Sequence, residues 1–121
     1  MLPIQHRLTK REDFALVYKQ GYYAACEGIA LKFLKTNNPA VRLGFPVGKN
    51  FSKKATVRNR IRRLLREASR KKLSELKPGY DLVLMINPKA GPASFEEIVS
   101  VLEKLFSKAN LLIRSASQTK K

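Results

Sequence analysis

Tyr80-Asp81-Leu82-Val83-Leu84-Met85-Ile86 is a near-continuous apolar run, and it constrains the fold more than any other stretch of the chain. Lys77-Pro78-Gly79 precedes it and Asn87-Pro88-Lys89-Ala90-Gly91-Pro92 follows, so turn chemistry holds it to strand length. A strand without polar alternation is one buried on both faces. The chain has 121 residues, enough for one core without disulfide or metal staples, and its 44% hydrophobic content is that of a globular domain.

The remaining elements are read around that strand. Thr9-Lys10-Arg11-Glu12 has the pattern of a capping box, with Thr9 at the N-cap and Glu12 reaching back. The helix it opens runs to about Gln20, where Gly21 is a ready C′ residue. Phe14, Val17 and Tyr18 share one stripe and Leu16 points the other way, so this helix is either sandwiched or leaves a stripe exposed. Residues 22–26 read as a short strand. From Gly28 to Lys35, Ile29, Leu31 and Phe33 alternate with Ala30, Lys32 and Leu34, and Asn37-Asn38-Pro39 makes a turn. Residues 41–47 alternate Val41, Leu43, Phe45 and Val47 with Arg42, Gly44 and Pro46, and Gly48 follows in phase. The second face is nearly bare, and Pro46 places this strand at an edge or a bulge. Ser94-Phe95-Glu96-Glu97 is a second capping box, opening a helix through Ile98, Val101, Leu102, Leu105, Phe106 and Ala109. The polar tail, 114–121, is expected to be disordered. The order α-β-β-β-α-β-α predicts a single α+β domain over 1–113, a two-layer sandwich of helices on a sheet of about four strands.

The charge is concentrated in one place. The chain carries 25 Lys and Arg against 9 Asp and Glu, a net charge of +16. Lys49 to Lys72 holds 11 of those bases and one acid, Glu67. A helix beginning near Thr56 orders the segment: Val57, Ile61, Leu64, Leu65 and Ala68 make an apolar stripe, and Arg58, Asn59, Arg62, Arg63, Arg66 and Arg70 take the other side. Like charges at i,i+4, as in Arg62, Arg66 and Arg70, cost an isolated helix roughly 0.2–0.5 kcal/mol per pair. Lys53, Lys54 and Arg58 at the N-terminal end also oppose the helix dipole. A merely solvated face would interleave glutamates; this one offers forked donors to phosphate oxygens. Nucleic acid is therefore the first candidate partner.

Other chemistries find little support. Cys26 is the lone cysteine, which excludes an internal disulfide framework and suits a reducing, cytoplasmic compartment; it is expected to be a small packed residue. One cysteine and one histidine cannot make a zinc knuckle or finger. His6 falls in an N-terminal segment expected to be loose. Glu12, Asp13, Glu96 and Glu97 sit in first helical turns, where capping explains them, and no paired-carboxylate or Ser/His/Asp set appears. No apolar run approaches the roughly 18 residues of a membrane span, and no signal-peptide core is present at the start. The bare face of 44, 46 and 48 could let single-stranded nucleic acid approach the sheet, with Phe14 and Tyr18 stacking on bases. Ordinary core packing for Phe14 and a proline-blunted edge strand account for the same residues.

The segment Lys54-Ala55-Thr56-Val57-Arg58-Asn59-Arg60-Ile61-Arg62-Arg63-Leu64-Leu65-Arg66-Glu67 closely resembles the "RNR" motif of the bacterial ribonuclease P protein component. Leu8 through Gly21, Arg42-Leu43-Gly44-Phe45-Pro46-Val47-Gly48-Lys49, Asp81 to Ile86 and the last amphipathic helix fall in the family's order, so the resemblance spans residues 6–113. It implies a left-handed β-α-β crossover, against the usual rule. It further implies a catalytic RNA partner that removes the 5′ leader of precursor tRNA with Mg²⁺ bound mainly by the RNA, and no catalytic residue in the protein. Carried over by position, Lys53, Lys54, Arg58, Asn59, Arg60, Arg62, Arg63, Arg66 and Arg70 would face the catalytic RNA. Phe14, Tyr18 and Lys49 would belong to a leader cleft, with either Lys32 or Phe33 from the strand, a one-residue choice that flips the face. Asn50 and Pro46 depart from the family pattern, which favours a second lysine and a Ser or Thr there. The competing expectations are a non-enzymatic ribosomal protein and a double-stranded DNA binder; the second needs a helix shortly before residue 56, where the pattern is strand-like. Neither membrane nor duplex DNA is an expected partner.

Overall fold

The computed structural model describes residues 2–48, 51–87 and 94–113. Helix α1 (Arg11–Gln20) is followed by strands β1 (Tyr22–Cys26), β2 (Ile29–Lys35) and β3 (Arg42–Gly44), helix α2 (Ala55–Lys72), strand β4 (Tyr80–Ile86) and helix α3 (Phe95–Lys108). This is the expected order. The four strands form one mixed sheet in the order β1-β2-β4-β3, with β3 and β4 parallel and the other neighbours antiparallel. The apolar run of β4 is thus an interior strand, paired on both sides, and Leu82, Val83 and Leu84 are fully buried.

Ladder partners share a face, so the register sorts the side chains. Ile29, Leu31, Leu43, Leu82 and Leu84 turn to the face covered by α2 and α3, where Leu65, Ile98, Leu102, Leu105 and Phe106 complete the core. Val83 turns the other way and packs with Leu8 and Val17 of α1. Helices therefore lie on both faces, two on one and a single short one on the other, where a strict two-layer stack would have left the second face open. Helix α1 buries Val17 and leaves Leu16 46% exposed, which resolves its two-sided pattern. The β1–β2 hairpin turns through Glu27 and Gly28, both at positive φ, the geometry of a primed two-residue turn.

Several local expectations are corrected. Thr9 does not cap α1; Lys10 holds the N-cap position, without a side-chain bond. The reason lies upstream: Arg7 bridges Leu43, and the Leu8 N–H donates to the Leu43 carbonyl at 2.9 Å, drawing the chain along β3 before the helix starts. His6 is accordingly not in a loose segment. Its Nδ1–H donates to the Val41 carbonyl at 2.7 Å, and Leu2 is buried in the main core. Gly21 leaves α1 in an extended conformation, not a left-handed one. Its glycine identity answers to space, since a Cβ would lie 2.5 Å from the Val17 carbonyl oxygen. Strand β3 is three residues, shorter than the alternation over 41–47, because Pro46 has no N–H to continue the ladder. The Ser94 capping box at α3 is present as expected, with both reciprocal bonds made. The expected tail and the loop after Asn87 lie outside the described residues.

Candidate nucleic-acid interface

Helix α2 carries the basic surface. Its apolar stripe enters the core, with Leu65 and Ala68 buried and Ile61 and Leu64 packed against it. The arginines divide into two groups by their partners. Arg58 Nη1 donates to the Ser52 carbonyl at 2.9 Å, and Arg62 Nη2 donates to the Val47 carbonyl at 3.1 Å while Nη1 reaches Asn59 Oδ1 at 2.7 Å. These two pin the incoming segment onto the helix, a structural duty that the sequence alone does not separate from the expected RNA contact. Arg60, Arg63 and Arg66 have no protein acceptor among the described residues, and Arg70 is held by Glu67 at 3.3 Å. Lys53 and Lys54 are exposed at the helix start, where no acid occupies the first turn and no side chain caps the N-terminus. Free N–H groups and cations at a helix start suit a phosphate.

Arg66 joins this surface to the α1 face of the sheet. It lines a 270 Å³ hollow with Phe14, Gly44, Phe45 and Pro46. The Phe14 ring lies directly on Gly44: a Cβ there would sit 2.4 Å from Phe14 Cζ. Phe14 is thus both packed, against Leu8, Val17 and Val83, and edged onto the hollow. Tyr18, 42% exposed, lines a second hollow of 390 Å³ with Pro46, Val47, Gly48, Phe51, Met85 and Ile86. Partial burial pushes its phenol upward from the ordinary value, so it is a neutral donor at physiological pH.

Register decides between the two strand candidates. Lys32 pairs with Val83, on the α1 face, and its Nζ donates to the Tyr18 carbonyl at 2.8 Å. Phe33 turns to the opposite face, where its ring meets Tyr22 at 5.7 Å and Tyr80 at 6.4 Å, so its expected place in the cleft is corrected. Lys49 lies outside the described residues. Phe51 and Met85 line the cleft and were missed; Met85 could have been found from its β4 parity with Val83. A further unforeseen feature stabilises this face. Arg42 donates both Nε and Nη2 to Asp81, at 2.8 and 2.7 Å, and lies 3.4 Å from Asp13 of α1. The hydrogen bond to Asp81 raises the already high pKa of Arg42 and keeps it charged.

Among the described residues no group of three or more His, Cys, Asp or Glu is placed to hold a metal ion, and no helix is long and apolar enough to cross a membrane. Among the described residues, strand β3 and not a helix precedes α2, which differs from the order of a helix-turn-helix.

The family model described as Ribonuclease P matches residues 2–110. A Pseudanabaena protein named "Ribonuclease P protein component" is 39% identical over 113 residues, covering 93% of this chain and 97% of its own. Among solved structures, the Staphylococcus aureus RNase P protein superposes with a TM-score of 0.78 at 25% identity, over 88% of this chain and 97% of that one. The Thermotoga maritima RNase P protein gives 0.72 at 31% identity, over 89% and 96%.

Proposed function

The chain belongs to the ribonuclease P protein family, and from that premise we propose that it binds a catalytic RNA and the 5′ leader of precursor tRNA. In this role it assists the endonucleolytic cut that frees the mature 5′ end, in the cytoplasm. The observation that carries the proposal is continuity: the arginine surface of α2 runs through Arg66 into the hollow edged by Phe14, which shares Pro46 with the hollow edged by Tyr18. Duplex or folded RNA is held by its phosphates, which the arginine fork matches. An unpaired leader exposes base faces, which rings can stack on without reading sequence.

The protein's part is then binding and positioning. Arg60, Arg63 and Arg66, with Lys53 and Lys54, meet RNA phosphates. Arg58 and Arg62 hold the segment before α2 so that Pro46 and Phe51 wall the cleft. Phe14 and Tyr18 receive leader bases, and Lys32, fixed on the Tyr18 carbonyl, adds positive charge beside them. Among the described residues no cluster of carboxylates is placed to hold Mg²⁺, and Asp81 is taken by Arg42. In this reading magnesium belongs to the RNA, whose phosphates supply hard oxygen ligands.

The test is precursor tRNA cleavage at low Mg²⁺ with a bacterial catalytic RNA alone, the protein alone, and both together. Cleavage that needs both at low Mg²⁺ is the expected result. RNA binding without stimulation of any compatible catalytic RNA would overturn the proposal.

A further inference from the structure

The cleft does not end where α1 ends. Tyr23, Lys32, Val83 and Gly44 form one row across the sheet, all on the α1 face. Phe14 covers Gly44, α1 packs over β2 and β4, and Tyr23 on the edge strand stays 64% exposed. The next row on that face is Ala25, Ala30 and Met85, two of them too small to fill the space above the sheet. They floor a 540 Å³ hollow that Tyr23 borders, and it shares Met85 and Ile86 with the hollow beside Tyr18. The two hollows form one trough from Pro46 and Phe51 to Tyr23. Glu27, paired with Lys104 at 2.7 Å, closes its far end with a carboxylate that repels phosphate.

We propose that Tyr23 is a stacking platform for a leader base farther from the cleavage site than those at Phe14 and Tyr18. The inference rests on the leader-cleft reading above. Three points carry it. Tyr22 next to it, also exposed, packs on the Phe33 ring, whereas the Tyr23 ring stacks on no other aromatic ring among the described residues. From Gly44 to Tyr23 the sheet spans three strand spacings, about 14 Å, so one base cannot touch both ends. The arginine surface of α2 reaches the hollow under Phe14 at Arg66, and that hollow joins the trough at Pro46, which puts the catalytic RNA at that end and the outer leader at Tyr23.

The experiment measures precursor tRNA affinity for the reconstituted holoenzyme as the leader is shortened one nucleotide at a time. For the unaltered protein, affinity rises with leader length and then levels off. Tyr23→Ala is expected to weaken long-leader binding about tenfold, the loss of one base–ring stack, with the deficit shrinking as the leader shortens. Tyr23→Phe keeps the ring and should restore the full length dependence. A Tyr23→Ala protein that follows the unaltered curve, while Phe14→Ala flattens it, overturns the role of Tyr23 alone. An equal loss at every leader length also overturns it, because the effect would then come through the fold; thermal melting of the variant checks this directly. No leader dependence in the unaltered holoenzyme refutes the cleft reading itself, and the proposal with it.

Discussion

Gly44→Ala tests whether Phe14 is held in place by the bare spot beneath it. The backbone at Gly44 has no positive φ, so alanine is not strained there by conformation, and in a strand it gains about 0.5–1 kcal/mol over glycine. The cost is steric. The added methyl would lie 2.4 Å from Phe14 Cζ and 2.7 Å from Cε1, and the ring can yield only by leaving Leu8, Val17 and Val83. Overpacking of this kind costs about 1–3 kcal/mol, so the net loss is about 1–2 kcal/mol, a drop in Tm of roughly 5–10 °C for a chain of this size. Phe14→Ala removes a half-buried ring and costs about 2 kcal/mol, less than the 3–5 of a full burial. The two changes are not additive if the contact is real. On the Phe14→Ala background the Gly44 methyl has no ring to displace, so the double variant should melt no lower than Phe14→Ala. That is a coupling of about 1–3 kcal/mol, read from denaturant or thermal unfolding of all four proteins. Additivity within about 0.5 kcal/mol would refute the placement of the ring on Gly44. Precursor tRNA affinity supplies a second readout, since Gly44→Ala alters no residue assigned to the leader yet should weaken precursor binding relative to mature tRNA.

Two further predictions address the charges. Arg42→Ala leaves the nearly buried Asp81 without its bidentate partner and should cost about 2–4 kcal/mol, below a fully buried pair because Arg42 keeps some water contact; Arg42→Ala/Asp81→Ala should recover part of that loss in unfolding experiments. Arg60→Gln/Arg63→Gln should leave the melting temperature unchanged and lower the slope of log affinity for the catalytic RNA against log salt by about two, one for each lost phosphate contact, whereas an unchanged slope would take these arginines out of the interface.

Much of the architecture is legible in the chain. The apolar run of β4, the alternation in β2 and the two amphipathic patterns of α2 and α3 are strong periodic signals, and each element forms where its pattern lies. The weaker points are those where a tertiary contact outweighs a local pattern. Thr9 has the chemistry of an N-cap, but the pairing of residues 7 and 8 with Leu43 moves the helix start past it. The face of Lys32 and Phe33 depends on which strand pairs with β2, and that partner, β4, arrives more than forty residues later. The basic motif was plain in the sequence, yet it does not distinguish an arginine that holds Val47 from one that is free for RNA. Only the position of a distant carbonyl does that. Tyr23 was equally hidden, since its role depends on what α1 leaves uncovered.

The division of labour between the two faces of the sheet gives the site its character. The face under α2 and α3 gathers nearly all the large apolar side chains, while the apolar cluster of the α1 face has, among the described residues, three buried side chains, Leu8, Val17 and Val83, with Phe14, Leu34 and Met85 beside them. Each fully buried aliphatic side chain contributes about 1.5–3 kcal/mol, so the first face supplies most of the stability and the second little. That asymmetry permits the second face to keep Ala25, Ala30, Gly44 and Gly48 where larger residues would otherwise add to the core. The Arg42–Asp81 pair then does what packing cannot, tying β3 to β4 and reaching Asp13 of α1 without filling the trough. A face left thin in this way, beside a helix whose Arg60, Arg63 and Arg66 have no protein acceptor among the described residues, is stable without a ligand, and on the proposed reading it is complementary to one that is flexible, aromatic and negatively charged.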